Sequence, residues 1–191
     1  MKGRESGMPS KEMWEEFFDP CRALEVMGID GSIESAADFG CGYGTFSVPV
    51  ARKIRGTLYA FDIDPEMTSA THEEVERQGL RNVKTIYRDF LAEGTGLKDE
   101  SVDYVMLFNI LHVEDPTALL KEAHRILRSG GRLGIIHWNY DSSTPRGPSM
   151  NIRPKPEQCI QWAISAGFCD PVLHNLKPHH YGIVLKKESE R

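Results

Sequence analysis

The 191-residue chain carries 28 acidic against 23 basic residues, a formal charge of -5, and 40% of it is hydrophobic. That balance suits one domain with a full apolar core and argues against a globally basic nucleic-acid binder. No apolar run approaches the length of a membrane span, and the charged stretch from Lys2 to Glu16 lacks an apolar leader, so a cytoplasmic location and no membrane insertion are expected. Cys21, Cys41, Cys159 and Cys169 are scattered, with no C-x-x-C pair and no zinc-type spacing, which predicts reduced structural thiols and no metal.

Residues 1–9 mix Gly, Ser and Pro with charges and are predicted to lack fixed structure. Ser10, followed by Lys11 to Phe18, has the pattern of a capped helix with acidic early turns and a bulky apolar stripe. Leu24, Val26, Met27 and Ile29 predict a second helical stretch ending at Gly28 or Gly31. This segment, 10–31, either packs against the rest of the domain or forms a lid over a ligand.

Ala36 to Phe39 is a short apolar run of the kind that forms a buried parallel strand, and Thr45 to Lys53 returns to a helical mixture, with Pro49 tolerated in its first turn. Between them lies Gly40-Cys41-Gly42-Tyr43-Gly44. Glycines are needed where a chain turns sharply and a ligand must approach the backbone, although a plain strand-to-helix turn would look similar. A second apolar run, Thr57 to Phe61, ends in Asp62, at about the twenty-residue offset where nucleotide folds place a ribose-binding carboxylate. Asp64-Pro65 then reads as a helix entry, with Gly79 closing that helix.

Val83 to Tyr87 predicts a third strand, with Arg88-Asp89-Phe90 at its end, and Leu91 to Glu100 a loop with at most one helical turn. Ser101 to Phe108 is a fourth strand, leading into Asn109-Ile110-Leu111-His112. Asp115-Pro116 opens a helix whose Leu119, Leu120, Ala123, Ile126 and Leu127 form an apolar face, stopped at Gly130-Gly131, and Arg132 to Trp138 is a fifth strand. Asn139 to Lys155, with Pro145, Pro148 and Pro154, is a long connection without helical periodicity and a candidate substrate loop. Pro156 begins a helix with Ile160, Ala163 and Ile164 inward, and Val172 to Leu176 with Tyr181 to Lys186 form a terminal hairpin. The alternation predicts a single α/β domain over 10–191: a doubly wound, mostly parallel seven-stranded sheet with an antiparallel hairpin, and ligands at the strands' carboxyl ends.

The set Asp38-Phe39-Gly40-Cys41-Gly42-Tyr43-Gly44, Phe61-Asp62-Ile63-Asp64-Pro65, Arg88-Asp89-Phe90, Ser101-Val102-Asp103-Tyr104-Val105 and Leu127 to Leu133 resembles the class I S-adenosylmethionine-dependent methyltransferases, in particular the type 11, UbiE-like branch. The resemblance covers about residues 33 to 138 and implies a Rossmann-like methyltransferase fold. It implies that Gly40, Cys41, Gly42 and Gly44 shape the methionine-binding turn, with Asp38 near the amino group. Asp62 would hold the ribose hydroxyls, Ile63 would line the adenine, and Asp89 would accept from the adenine amino group with Phe90 beside it. Phe108 and Asn109 would pass near the methionine part, while Asp103 is expected to be structural. S-adenosylhomocysteine would be the product.

Methyl transfer by in-line attack relies mainly on alignment and desolvation, and a protein base helps only where the nucleophile must lose a proton. His112, His137 and Tyr140 are the reachable candidates for a base. Trp14, Tyr140 and Arg146 are candidate acceptor contacts, and Arg146 and Arg153 are candidate recognisers of a carboxylate or phosphate. The stretch Asn109 to His112 lacks the Asn/Asp-Pro-Pro-aromatic motif of amino-methylating DNA enzymes, so a small-molecule acceptor and no DNA are expected. A nicotinamide-dependent oxidoreductase shares the strand, turn and acid, and a noncatalytic cofactor-binding domain shares the fold; the sequence leaves both open.

Overall fold

The computed structural model describes residues 10–189, so the expectation for 1–9 lies outside the described residues. Two short helices, α1 (Lys11–Glu15) and α2 (Pro20–Val26), precede the alternating units. These are β1 (Ser35–Phe39), α3 (Ser47–Lys53), β2 (Thr57–Asp62), α4 (Pro65–Arg77), β3 (Val83–Tyr87), α5 (Phe90–Glu93), β4 (Val102–Phe108) and α6 (Pro116–Ile126). Then come β5 (Leu127–Trp138), α7 (Pro156–Ser165), β6 (Phe168–Leu176) and β7 (His180–Lys187). The strands make one seven-stranded sheet in the order β3-β2-β1-β4-β5-β7-β6, parallel except for β7, which runs antiparallel to both neighbours. The chain leaves β1 outward through β2 and β3, then returns to the other side of β1 with β4. That reversal opens a crevice at the carboxyl ends of β1 and β4.

Helices on both faces explain why β4 is apolar at nearly every position. Val105 and Leu107 pack with Leu119, Ala123, Cys159 and Ala163 from α6 and α7, whereas Tyr104 and Met106 pack with Leu24, Phe46 and Val50 from the α2 and α3 side. Each such large apolar side chain contributes up to about 2 kcal/mol by burial. Helix entry repeats one local device, an Asp-Pro pair. Asp19, Asp64 and Asp115 accept from the amides of Arg22, Glu66 and Ala118, and the following proline has no N–H to leave unpaired.

Three expectations need correction. Ser10 makes no side-chain cap, and α1 is a single short turn-and-a-half of five residues. α6 ends at Ile126, not at the glycine pair: Leu127 is already extended and pairs with Val102, after which residues 128–131 loop out before Arg132 pairs with Tyr104. Ile164 is 51% exposed, because on α7 the inward positions are Cys159 and Ala163. Five residues beyond Cys159 places a side chain roughly 140° around the helix. At the opposite end of the sheet, Asp103 accepts from the amides of Glu34 and Ser35 and pairs with Arg128 at 2.6 Å, a role in holding strand ends together.

Candidate active site

The glycine turn folds back on the end of β2. The amides of Gly40 and Cys41 both donate to the Phe61 carbonyl, at 2.8 and 2.9 Å. Gly40 has φ +80°, a left-handed conformation, and a Cβ there would lie 3.0 Å from Ile110 Cδ1. Asp62 clasps the turn, accepting from Gly42 N at 2.9 Å on Oδ2 and from Asp64 N at 3.0 Å on Oδ1. From α4, Thr71 Oγ1 donates to the Gly42 carbonyl at 2.7 Å. Asp38, at the end of β1, accepts from Ser47 Oγ at 2.6 Å.

Asp38 and Asp62 are 3% and 9% exposed, and neither has an ion-pair partner among the described residues. Burial pushes Asp38 up to about 7, opposed by the Ser47 hydrogen bond and reinforced by the Asp62 carboxylate. Asp62 is also raised by burial, with the Gly42 and Asp64 amides opposing. Each carboxylate oxygen keeps lone-pair capacity for a ligand hydroxyl or ammonium. Two buried carboxylates without a cation suit a positively charged, hydroxyl-bearing ligand.

Asn109 forms the facing wall. It has φ +57°, rare for a non-glycine residue, and its side-chain Oδ1 and Nδ2 are enclosed without a partner among the described residues. Thr45 Oγ1, in the turn, is likewise unpaired. Such buried polar atoms cost about 1–3 kcal/mol each unless something bonds them. Phe108 packs on Phe46 with ring centres 5.0 Å apart, and Ile63 lies partly buried against the core. Asp89 caps α5 through the Ala92 amide at 3.1 Å. Phe90, at the head of α5, is 3% exposed and packs on Phe39 and Phe61 in the core. Cys41 is buried, which pushes its thiol far above the ordinary range.

On the far side of the crevice the candidates separate. His137 is fully buried between His112 and Tyr181, with ring centres 5.6 and 6.3 Å away, which corrects the expectation that it is reachable. His112 is 9% exposed, its Nδ1 is unpaired among the described residues, and burial lowers its pKa to about 4. Tyr140 is exposed, with the Lys155 ammonium 4.8 Å from its ring centre. Arg153 is buried and holds the loop from inside: Nε donates to Pro148 O, Nη1 to Asn139 O, Asp141 O and Thr144 Oγ1, and Nη2 to Arg146 O. Arg146 instead reaches Met13 Sδ at 3.4 Å, and Trp14 packs on Phe18 and Trp138. With Lys11 paired to Glu74 at 3.0 Å, α1 bridges α4 and the 139–155 connection.

Ser47, Thr71 and Ile110 were not legible as site residues from the sequence. Thr71 left one signal: Thr68, Thr71 and Val75 share the buried stripe of α4, where a hydroxyl must find a local partner. Among the described residues there is no cluster of three or more His, Cys, Asp or Glu able to hold a metal, and no helix is long and apolar enough to cross a membrane.

This sheet order, glycine turn and strand-end carboxylate define a Rossmann-like α/β nucleotide-cofactor domain. The methyltransferase domain family matches residues 37–135, over half of the chain, and the chain belongs to it, within the type 11 branch of the class I S-adenosylmethionine-dependent methyltransferases. It is similar to the demethylmenaquinone methyltransferase of Geobacillus stearothermophilus, 32% identical over 101 residues that make up 51% of this chain and 42% of that protein. The chain thus spans less than half the length of that curated relative. Among solved structures, a SAM dependent methyltransferase from Aquifex aeolicus superposes with a TM-score of 0.83 at 22% identity, covering 93% of this chain and 94% of that one. The cyclase SpnF superposes with a TM-score of 0.75 at 14% identity, covering 98% and 85%. At these identities the structural likeness shows the fold alone.

Proposed function

We propose that the chain binds S-adenosylmethionine and transfers its methyl group to a small-molecule acceptor. The observation that carries this is the pair of buried, cation-free carboxylates, Asp38 and Asp62, around the glycine turn at the strand-order reversal. S-adenosylmethionine is positively charged at its sulfonium and amino groups, and when bound it supplies a methyl group on an already activated leaving group. Asp62 would accept from the ribose hydroxyls with the lone pairs left by its amide bonds, and Asp38 from the amino group. Gly40, Gly42 and Gly44 give the turn its positive φ, which a side chain would strain, and the unpaired Asn109 amide would gain partners. Ile63 and Asp89 stand at the ends of β2 and β3, where an adenine would lie between them.

The chain's own contribution is alignment and dryness. Trp14, Phe17 and Phe18 pack on Trp138, and Phe18 also on Phe46, closing one side of the crevice to water. The relative named for demethylmenaquinone makes a quinol-type ring the first acceptor class to assay. We place the protein in the cytoplasm on its scattered free thiols.

The test is calorimetric titration with S-adenosylmethionine and S-adenosylhomocysteine, with Asp62→Ala as control and NAD as competitor. Binding of both sulfur ligands, weakened about tenfold or more by Asp62→Ala, is expected. Preference for NAD, or no binding of either sulfur ligand, overturns the assignment.

A further inference from the structure

A second cavity, of about 310 Å³, lies beyond Asn109 where β4 and β5 end, and its walls include His112, Tyr140, Asn151, Arg153, Gln158 and Trp162. Its chemistry is specific in three respects. First, His112 is nine-tenths buried, and no described residue bonds its Nδ1, so no protein group there fixes which ring nitrogen carries the proton. The imidazole can therefore present either a donor or an acceptor to an incoming group. Second, Arg153 is 7% exposed and its partners are neutral, backbone carbonyls and the Thr144 hydroxyl, with no carboxylate at ion-pair distance among the described residues. A buried guanidinium bonded at contact only by neutral dipoles sets up a positive potential, offset in part by the Asp141 carboxylate acting from beyond ion-pair distance. The Lys155 ammonium over Tyr140 adds to it at the mouth, while Glu114, the only carboxylate in the lining, sits at the exposed rim. Third, Tyr140 and Trp162 offer flat aromatic surface, and the volume is at the small end for ligand pockets.

We propose that this cavity is the methyl-acceptor site and that the acceptor is a small ring compound bearing an acidic oxygen, a phenol or a ring carboxylate. The oxygen meets the His112 imidazole and faces Arg153, and the ring lies against Tyr140 and Trp162. A cationic amine is disfavoured by the same positive field. This inference rests on the methyltransferase reading and names the substrate class for it.

The experiment titrates the full chain, with and without S-adenosylhomocysteine, with 4-hydroxybenzoate, with the neutral methyl 4-methoxybenzoate and with benzylamine. The expected result is saturable binding of 4-hydroxybenzoate, with both other rings weaker by about tenfold or more. His112→Phe, which keeps the ring volume but removes both nitrogens, is expected to weaken 4-hydroxybenzoate about tenfold and to change S-adenosylhomocysteine affinity less than about twofold. Tyr140→Ala, at a position 44% exposed, is expected to weaken it several-fold and covers the case in which the histidine variant fails to fold. Equal affinity for the neutral ether, or parental affinity in both variants, overturns the proposal. S-adenosylhomocysteine binding with no ring binding overturns this inference and leaves the cofactor reading standing. Ring binding with no S-adenosylhomocysteine binding overturns the cofactor reading, and with it the role of the cavity as an acceptor site.

Discussion

The two sides of the crevice are built differently. Around the glycine turn, Asp38, Asp62, Thr71 and Ser47 tie nearly every polar group to a neighbour, Thr45 Oγ1 excepted. Across from it, Asn109, His112 and His137 hold buried nitrogens or oxygens that meet nothing among the described residues, as does Nε2 of His180, whose ring packs on Phe18 and Trp138. Burial favours the neutral form throughout, which raises the carboxylates Asp38 and Asp62 and lowers the imidazoles His112 and His180. The tied side is preorganised before any ligand arrives. The untied side carries a polar debt that a ligand can relieve, so it is the side where ligand binding should add most to stability.

The sharpest break of this comparison is at Arg153, the one group that organises the untied side. Removing its guanidinium deletes five hydrogen bonds within the loop and leaves the Pro148 carbonyl without another donor among the described residues. Arg153→Ala should therefore cost about 3 kcal/mol or more, measured by urea denaturation. Hydrogen exchange should accelerate through residues 139–153 while the glycine turn stays protected. Lysine, with no planar fork, should rescue little.

Next in size is Gly40→Ala, on the tied side. The left-handed φ of +80° costs an alanine about 1–2 kcal/mol, and the new methyl presses on the movable end of Ile110. Stability should fall by about that amount. S-adenosylhomocysteine affinity should fall further than stability, because the turn is the proposed cradle; a variant with parental affinity would remove Gly40 from it.

The pH dependence separates the sides by sign. The fold favours protonated Asp38, raised from 3.8 to about 7, so its contribution is full below about 3.8 and is lost as pH rises through about 7. The slope is at most about 1.4 kcal/mol per pH unit for one proton. The difference in stability between the parent and Asp38→Asn should thus shrink as pH rises across that window. His112 and His180, lowered from 6.5 to about 4 and about 3, run the other way, and their contribution is lost as pH falls below 6.5. Binding of a cationic cofactor should draw Asp38 back toward the carboxylate and release protons near pH 7. Calorimetry in buffers of different ionisation heat measures that release, and Asp38→Asn should abolish it.

The tied side is also the more legible in the sequence, apart from the Ser47 and Thr71 hydroxyls that reach it from α3 and α4. Its geometry is set by local rules: a run of apolar residues, glycines where φ must be positive, an acid at a strand end, Asp-Pro at helix entries. These fix the strand order and the positions of Asp38, Asp62 and the turn. What the sequence could not give were contacts made between distant elements. Nothing local in the sequence shows that Phe90 packs on Phe39 and Phe61, or that His137, a residue read as reachable, is buried against Tyr181 of β7. Arg153 and Arg146 sit in one loop of one composition, yet one turns inward to its carbonyls and the other outward to Met13. No periodicity distinguishes them. The early start of β5 is a tertiary override of the same kind, since pairing with Val102 takes Leu127 out of its helix.

The smallest predicted effect is the most discriminating for preorganisation. Thr71→Val keeps the shape of a fully buried side chain and removes the 2.7 Å hydrogen bond to the Gly42 carbonyl, together with the hydroxyl's contact to the Cys41 thiol. The expected loss of stability is about 1 kcal/mol. If the turn is held independently by Asp62 and the Phe61 carbonyl, the cofactor affinity should change by no more than about twofold, since both free and bound states lose the same bond. A tenfold loss of affinity would mean that the turn needs Thr71 only once ligand is present. The tied side would then share the ligand dependence of the other, because its order would be completed by binding and not built beforehand.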